Sequence, residues 1–341
     1  YPHADEYRVW PGPNSNTFTA FDRIERNTSS RERVTFSPVV HVRGGGGTLE
    51  RQLSMKPLDT FWALAVILIW GLNFVAGKIG LAQIPPLLLM TLRFSLVAIL
   101  LIPFLRVQHG RMGQLAVVSV ALGGVHYSLM FVGLSAIDAG PASIAVQLMV
   151  PFSAVLAWAF FRERLTALQI AGMMIAFAGV YVLGGDAERE PRAPYLLLVV
   201  GAAFALALAT ILIKRLGPIS IFTLNAWIAL FTVPQLLAAT LILEDGQMAA
   251  LRGADWRTWG AVAFMAIMVT IVSHGLYYYL VRKYEVNQVV PLTLLTPVAA
   301  VLLAVLILGE ALSFGVVAGG VLVLAGVAMI QLRFEWRRVS R

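Results

Sequence analysis

Long apolar runs separated by short polar gaps fill most of the chain after residue 55. A helix needs about 20 apolar residues to cross a bilayer, and these runs have that length without the alternation of a barrel strand. The pattern predicts an all-α integral membrane fold with ten transmembrane helices. The predicted spans are 58–80, 86–106, 112–134, 140–161, 166–184, 194–214, 219–243, 257–281, 287–308 and 313–332.

The first 54 residues differ in composition from the rest. They are polar and mixed in charge, they include a flexible-linker run of four glycines at 44–47, and they lack the apolar region of a signal peptide. The chain begins with Tyr1, and Met55 directly precedes the first apolar run. We expect residues 1–54 to be a disordered leader, either non-native upstream sequence or a genuine cytoplasmic tail. A natively expressed peptide from residues 1–54 would exclude the first interpretation.

Composition agrees with a membrane protein, because 59% of the residues are hydrophobic and only 13% are charged. The net charge of +8 would suggest a polyanion partner in a soluble protein. Here the basic residues lie mostly in short gaps between apolar runs, so we interpret them as topology signals and expect no nucleic-acid partner. The chain has no Cys, which excludes disulfides and thiolate metal sites.

Lys and Arg concentrate in alternate connections. One set of loops, together with the tail after the last span, carries twelve, and the opposite set carries four. Because basic loops stay in the cytoplasm, this bias predicts a multi-pass protein of a bacterial inner membrane with both termini cytoplasmic. Residues 333–341 then form a basic cytoplasmic tail.

The two halves of the chain share an internal repeat. Residues 163–183 align without gaps on residues 310–330, and seven of these 21 positions are identical. A five-helix unit crosses the membrane an odd number of times, so the second copy enters it inverted, as in many secondary transporters. We predict repeats over 55–184 and 194–332. The alternative is that apolar, Gly-rich helices resemble each other by composition alone.

Several polar side chains lie inside the predicted spans. Arg93 lies seven residues into the second span, and a buried Arg usually faces a cavity or a partner. His126 and His274, near the middle of spans 3 and 8, either relay protons or stay neutral and bond a neighbouring helix. The other polar and aromatic groups either contact a substrate or pack against other helices. The substrate-cavity candidates are Asn73, Arg93, His126, Tyr127, Gln147, His274, Tyr277, Tyr278 and Gln288.

Other residues suggest structural or gating roles. Pro151 and Pro297 interrupt spans 4 and 9, where they permit kinks and predict hinges. Lys78 is either a gating residue or a lysine that snorkels to the interface. Glu163 and Glu310, at the ends of spans 4 and 9, suggest a structural or gating role, with a surface salt bridge as the alternative for Glu163.

Four glycines are spaced seven residues apart in spans 5 and 10. Small residues at such positions allow helices to pack closely, either within the chain or at a homodimer interface. These glycines are Gly172, Gly179, Gly319 and Gly326.

Catalytic signatures are absent from the sequence. It contains no HExxH, no phosphate-binding GxxxxGK[ST] loop, no GxSxG and no carboxylate-rich metal cluster. We therefore expect no enzyme activity, no catalytic residue, no cofactor and no metal. A transporter of this kind draws its energy from a gradient, with a proton as one candidate coupling ion.

Three short motifs carry a family resemblance: Trp70–Val75, Pro85–Pro86 and Leu92–Phe94. Together with the repeated Glu-Leu-Gly-Ala-Gly helices, they resemble the EamA branch of the drug/metabolite transporter superfamily over residues 56–332. The stretches 70–98 and 282–298 are similar to its O-acetylserine/cysteine exporter branch. The resemblance implies ten helices, cytoplasmic termini, two EamA repeats and export of amino acids or related metabolites. The leader departs from the family pattern.

Three functions follow from these observations. The first is secondary-active export of small metabolites, such as cysteine or O-acetylserine, by alternating access, with the lipid bilayer and a small-molecule substrate as partners. The second is efflux of drugs or aromatic metabolites, which the many aromatic residues permit. The third is a membrane scaffold or a lipid-modifying enzyme. The inverted repeat argues against a scaffold, and the missing catalytic motifs argue against an enzyme.

Overall fold

The computed structural model of the chain describes residues 55–185, 193–284 and 286–332. The leader and the basic tail predicted from the sequence lie outside these described residues. Within the described ranges all regular structure is helical, so the predicted all-α membrane fold is confirmed.

Ten apolar helices, α1 to α10, follow one another in the predicted order. In the described part of the chain, nine are long and apolar enough to cross a membrane, and α2 is shorter. Their bounds are α1 Pro57–Leu81, α2 Pro86–Leu100, α3 Met112–Ala136, α4 Ala139–Phe161, α5 Ala167–Gly184, α6 Ala193–Leu216, α7 Ile221–Leu243, α8 Trp256–Lys283, α9 Pro291–Leu308 and α10 Phe314–Leu332.

The connections contain short helical pieces that the hydrophobic pattern does not reveal. The predicted span 86–106 is shorter in the structure, because α2 ends at Leu100 and a 3-10 turn, Ile102–Phe104, follows. Pro103 lies in this turn, and proline lacks the N–H that a continuing α-helix needs. Two further short helices, Gln247–Gly253 and Val286–Val289, precede α8 and α9.

Contacts between the two halves follow a two-fold pattern. Helix α2 packs on α7, α4 on α9, and α5 on α10. Helix α1 packs on α8 and α9, and its counterpart α6 packs on α3 and α4. These contacts made by helices of one half therefore have equivalents made by the other half, as expected for two inverted five-helix units that interlock.

Irregular turns occur at equivalent places in the two halves. Helices α3 and α8 contain π-helical segments, Val120–His126 and Met265–Ser273. In α4 and α9, 3-10 turns at Val146–Leu148 and Pro291–Leu294 lie just before the predicted hinge prolines. Such irregular turns are common at functional sites, because they change the direction in which side chains project.

The hinge prolines themselves occupy matching positions. Pro151 and Pro297 are each the third residue of the regular helix that follows the 3-10 turn. A proline is tolerated in a first helical turn, where its missing N–H has no partner in the helix. The hinge role of these residues stays a prediction.

The glycines predicted to support helix packing lie where α5 meets α10. A Cβ atom on Gly172 would lie 2.7 Å from the backbone oxygen of Gly326, and one on Gly179 would lie 2.7 Å from that of Gly319. Because Cβ atoms do not approach backbone atoms so closely, only glycine allows this spacing. The contact joins the two halves within one chain.

Candidate functional site

A cavity of about 120 Å³ lies between the two halves of the molecule. Helices α2 and α3 of the first half and α6, α7 and α8 of the second half form its wall. The lining residues are Phe94, Leu122, Tyr127, Leu206, Ala209, Thr210, Ile213, Leu224, Asn225, Ile228, Thr270 and His274.

The cavity extends from the middle of the helices towards one membrane face. Thr270 and His274 lie near the centre of α8, whereas Ile213 and Leu224 lie within one turn of the end of α6 and the start of α7. We call the face at which α6 ends and α7 begins the cavity face. Because consecutive helices alternate in direction, α2 and α4 begin at the opposite face.

Arg93 is completely buried beside this cavity, with 0% of its surface exposed. Its guanidinium donates to Oγ1 of Thr270 at 3.0 Å and, more weakly, to Oδ1 of Asn73 at 3.4 Å. The guanidinium carbon lies 4.9 Å from the ring centre of Tyr127 and 5.7 Å from that of Phe94. Thr270, Tyr127 and Phe94 all line the cavity, so a single layer of side chains separates the charge from it.

Only neutral groups surround the charge of Arg93. Its Nε atom is buried without a hydrogen-bond partner, and no carboxylate forms an ion pair with it in the described residues. The described acidic residues all lie within the first turn or beyond the ends of the membrane helices: Asp59, Asp138, Glu163, Glu244, Asp245, Asp255 and Glu310. A buried charge without an opposite charge is costly in a membrane and indicates a functional site.

The two histidines both bond to backbone carbonyls. Nδ1 of His274 lies 3.0 Å from the oxygen of Thr270, and Nδ1 of His126 lies 2.8 Å from that of Ala202. Since a carbonyl oxygen only accepts, Nδ1 carries the proton and donates it, and Nε2 of the neutral ring remains an acceptor. His274 lines the cavity, whereas His126 packs edge-on against Tyr127 outside the lining.

Thr270 connects the polar groups of the site. It accepts from Arg93, and its backbone oxygen lies 3.5 Å from Nδ2 of Asn225. Arg93 and Asn225 therefore both contact this one threonine. Thr270 carries no signal in the sequence, because hydroxyl residues such as Thr270 and Ser273 are ordinary in apolar runs. The π-helical segment of α8 contains it.

The sequence-predicted candidates divide into two groups. Tyr127 and His274 line the cavity, and Arg93 and Asn73 lie directly behind its wall. The remaining candidates lie outside the lining, and these are His126, Gln147, Tyr277, Tyr278 and Gln288. Tyr277 packs on Trp70 instead, with ring centres 5.2 Å apart.

Two carboxylates join the halves at the face opposite the cavity face. Glu244, after α7, accepts from the backbone N–H groups of Leu87 and Leu88 at 2.7 and 3.0 Å. Glu310, after α9, accepts from those of Ala139 and Gly140 at the same two distances. Each carboxylate therefore satisfies unpaired N–H groups at the start of α2 or α4, where the helix dipole favours negative charge.

We call the face that carries these contacts the glutamate face. Glu244 and Glu310 belong to the second half, whereas α2 and α4 belong to the first, so both carboxylates hold the two halves together there. Glu163, the repeat counterpart of Glu310, lies at the cavity face and contacts Lys214 at 3.4 Å. Glu244 carries no signal in the sequence, because it lies in an ordinary acidic gap beside Asp245.

Polar contacts also fix the ends of α1. Lys78 donates to the carbonyl oxygens of Leu134 and Ile137 at the end of α3, at 3.2 and 3.1 Å. At the cavity face, the buried Asp59 pairs with Lys283 at 2.9 Å and accepts from Tyr284 at 2.6 Å. This hydrogen bond to the Asp59 carboxylate raises the pKa of Tyr284, which lies just beyond α8.

Two interlocked, inverted five-helix units around a partly polar cavity define a membrane transporter. More particularly, the chain belongs to the EamA-like transporter family, whose family model matches residues 59–185 and again residues 193–332. The family resemblance seen in the sequence is thereby confirmed. A second model, for a family of proteins of unknown function, matches residues 1–30.

Individual relatives extend this similarity. The chain is 33% identical to a probable amino-acid metabolite efflux pump of Salmonella typhimurium over 299 residues, covering 84% of this chain and 99% of the relative. A pump of the same description from Escherichia coli is 32% identical, with the same coverage. A solved crystal structure matches with a TM-score of 0.55 and 19% identity, over 84% of this chain and all of the other, which supports the fold alone.

Proposed function

We propose that this protein is a secondary-active exporter of small amino-acid-like metabolites in a bacterial inner membrane. It works by alternating access between two EamA repeats, residues 55–184 and 194–332. The observation that carries the proposal is the buried, uncompensated charge of Arg93 beside a cavity between the halves. The names of the Salmonella and Escherichia relatives support the substrate class.

In this proposal each polar group at the cavity has a role. The charge of Arg93 attracts the substrate carboxylate, and rearrangement of Tyr127 and Thr270 brings the two into contact. Asn225 and His274 then hydrogen-bond the remaining polar groups of the substrate. The inverted pair of five-helix units supplies the two access states, because exchanging the conformations of related halves opens one face and closes the other.

The basic residues support an orientation for this cycle. Four pairs of Lys or Arg lie in connections or last helical turns at the cavity face, and fewer Lys or Arg lie at the glutamate face. The cavity face is then cytoplasmic, as are both termini, and the cavity takes up substrate from the cytoplasm. A solute gradient or a coupling proton supplies the energy. The protein acts as a monomer or as a homodimer, and neither form changes the site, which lies within one chain.

Efflux from cells tests this function. We expect bacteria that express the chain to release preloaded, labelled cysteine, O-acetylserine or an aromatic amino acid faster than cells with an empty vector. Arg93→Ala should abolish the acceleration at equal protein level in the membrane, because the carboxylate loses its cation. Arg252→Ala, which changes an exposed arginine of the short helix before α8, should leave it intact. Equal release with and without the protein would contradict the proposal.

Efflux of drugs or aromatic metabolites is the second candidate function. The aliphatic part of the cavity lining, such as Leu206, Ile213 and Ile228, favours it. The charge of Arg93 disfavours the cationic compounds that make up many drugs. Faster release of a lipophilic cation than of any amino-acid metabolite, in the same cells, would favour this second function.

A further inference from the structure

The charged groups at the cavity leave the site with a net positive charge. Its twelve lining residues contain no Asp, Glu, Lys or Arg, and the cation Arg93 donates a hydrogen bond to the lining residue Thr270. His274 bonds a carbonyl through Nδ1, as a neutral imidazole does, and adds no charge in that form. The site therefore carries a net charge of one positive unit in a medium of low dielectric, where charges interact strongly over several ångströms.

The lining also separates into a polar and an apolar part. Tyr127, Asn225, Thr270 and His274 form the polar part, next to Arg93. The fifth polar lining residue, Thr210, donates its hydroxyl to the backbone oxygen of Leu206 in its own helix. The apolar part of the lining consists of Phe94, Leu122, Leu206, Ala209, Ile213, Leu224 and Ile228. A ligand that fills both parts has a polar head and an aliphatic or aromatic side chain.

The carboxylate and the ammonium group of a substrate interact differently with this site. A carboxylate neutralises Arg93 and supplies an acceptor for its unpaired Nε. An ammonium group finds neutral acceptors, such as Nε2 of His274, but no negative side chain, and it also lies in the field of Arg93. A zwitterion thus leaves the net positive charge of the site uncompensated, whereas a monoanion removes it.

We infer that the preferred substrate is an amphipathic monoanion, namely a carboxylate with an apolar side chain and no ammonium group. N-acyl amino acids and α-keto acids have this chemistry. The inference rests on the proposed function and narrows it, because it excludes cysteine, O-acetylserine and other small zwitterions as the best substrates. Arg93 is then the residue that determines specificity for net charge.

A matched set of solutes tests the inference in proteoliposomes that contain the full chain. Leucine, 4-methyl-2-oxopentanoate and N-acetylleucine share one side chain, but the first is a zwitterion and the other two are monoanions at neutral pH. Cysteine and O-acetylserine serve as small zwitterions, and protein-free vesicles measure leakage. We expect kcat/KM for both monoanions to exceed that for leucine by about tenfold or more, the equivalent of one hydrogen bond to a charged group.

Two variants separate specificity from folding. Arg93→Gln removes the charge and should lower kcat/KM for the monoanions more than that for leucine, so that the roughly tenfold preference for monoanions disappears. Arg93→Lys keeps the charge and should retain the preference for monoanions. A purely structural Arg93 would instead lower transport of all solutes equally, and that result would overturn the inference.

The remaining outcomes are also decisive. Transport of leucine, cysteine or O-acetylserine at least as efficient as that of the monoanions would overturn the inference and leave the proposed export function standing. Transport of none of the five solutes by correctly inserted protein would overturn both.

Discussion

Lys78 and Arg93 are cations within helices of the first half, and their surroundings differ. Lys78 is near the end of α1 and reaches carbonyl groups at the end of α3, as the snorkelling interpretation allows. Arg93 lies deeper, among uncharged groups alone. The sequence predicts the depth of Arg93, because depth follows from its position in the span. It does not predict Thr270, because a hydroxyl residue in an apolar helix has no pattern that marks its partner.

At the scale of single residues, we expect the substitution Thr270→Val to destabilise the protein. The substitution keeps the shape of the side chain but removes the oxygen that accepts from Arg93 at 3.0 Å, which leaves a buried charged donor unpaired. The expected loss is about 1.5–3 kcal/mol, measured as a lower thermal unfolding temperature in detergent. Thr270→Ser retains the oxygen, so the thermal unfolding temperature of this variant should stay close to that of the wild type. Equal stability of the valine variant would show that this hydrogen bond contributes little.

Helix positions were predictable from the hydrophobic pattern, and helix irregularities were not. The spans follow from the length of each apolar run, and only α2 ends early, at the turn that contains Pro103. The π-helical segments of α3 and α8 cannot be predicted from that pattern, because they shift backbone hydrogen bonds without changing which residues are apolar. The glycines of α5 and α10 were predicted from their spacing, but the choice between a contact within the chain and a dimer interface required the structure.

A pair of alanine substitutions tests the packing of α5 against α10. Gly179→Ala would place a methyl group 2.7 Å from backbone atoms of Gly319 and Val323, which cannot move without shifting α10. We expect a loss of about 1–3 kcal/mol from this overpacking, seen in thermal unfolding.

The matched control lies in α8. Gly260→Ala meets no atom within 4 Å, so the better helix propensity of alanine should leave stability unchanged or slightly higher. If both variants unfold at the same temperature, close packing at Gly179 is not what joins the two helices.

The order of ten helices and the inverted repeat were predictable at the scale of the whole molecule, because both follow from counting spans and aligning the halves. The contacts between the halves were not, since they depend on how two units of similar sequence meet in space. The repeat marks Glu310 in the sequence, but it does not predict that the partners of Glu310 lie at the start of α4, in the other half. The sequence likewise does not predict that Glu244, in the second half, accepts from the N–H groups at the start of α2, in the first half.

We expect the two glutamates to hold the glutamate face closed. Neutral glutamine accepts more weakly at a helix N-terminus, so the double variant Glu244→Gln, Glu310→Gln should favour opening of this face and closure of the cavity face. The chain has no Cys, so Thr210→Cys places a single thiol in the cavity. Maleimide applied from the cavity face should label it more slowly in the double variant.

Asp245→Asn is the matched control, because this exposed carboxylate lies beside Glu244. It should not change the rate at which the thiol is labelled. Labelling at the wild-type rate in the double variant would show that the carboxylates stabilise helix ends without controlling access.

The unpaired charge of Arg93 also has an electrical consequence. A bacterial membrane is negative inside, and a potential of about 100 mV acts on one elementary charge with about 2.3 kcal/mol across its full thickness. Any conformational step that moves Arg93 through this field does electrical work. Under the proposed function and orientation, the voltage would draw the guanidinium of the empty site towards the cytoplasm, where the substrate binds. A bound anion would neutralise the site, so the outward step would meet no electrical barrier and the membrane potential would favour export.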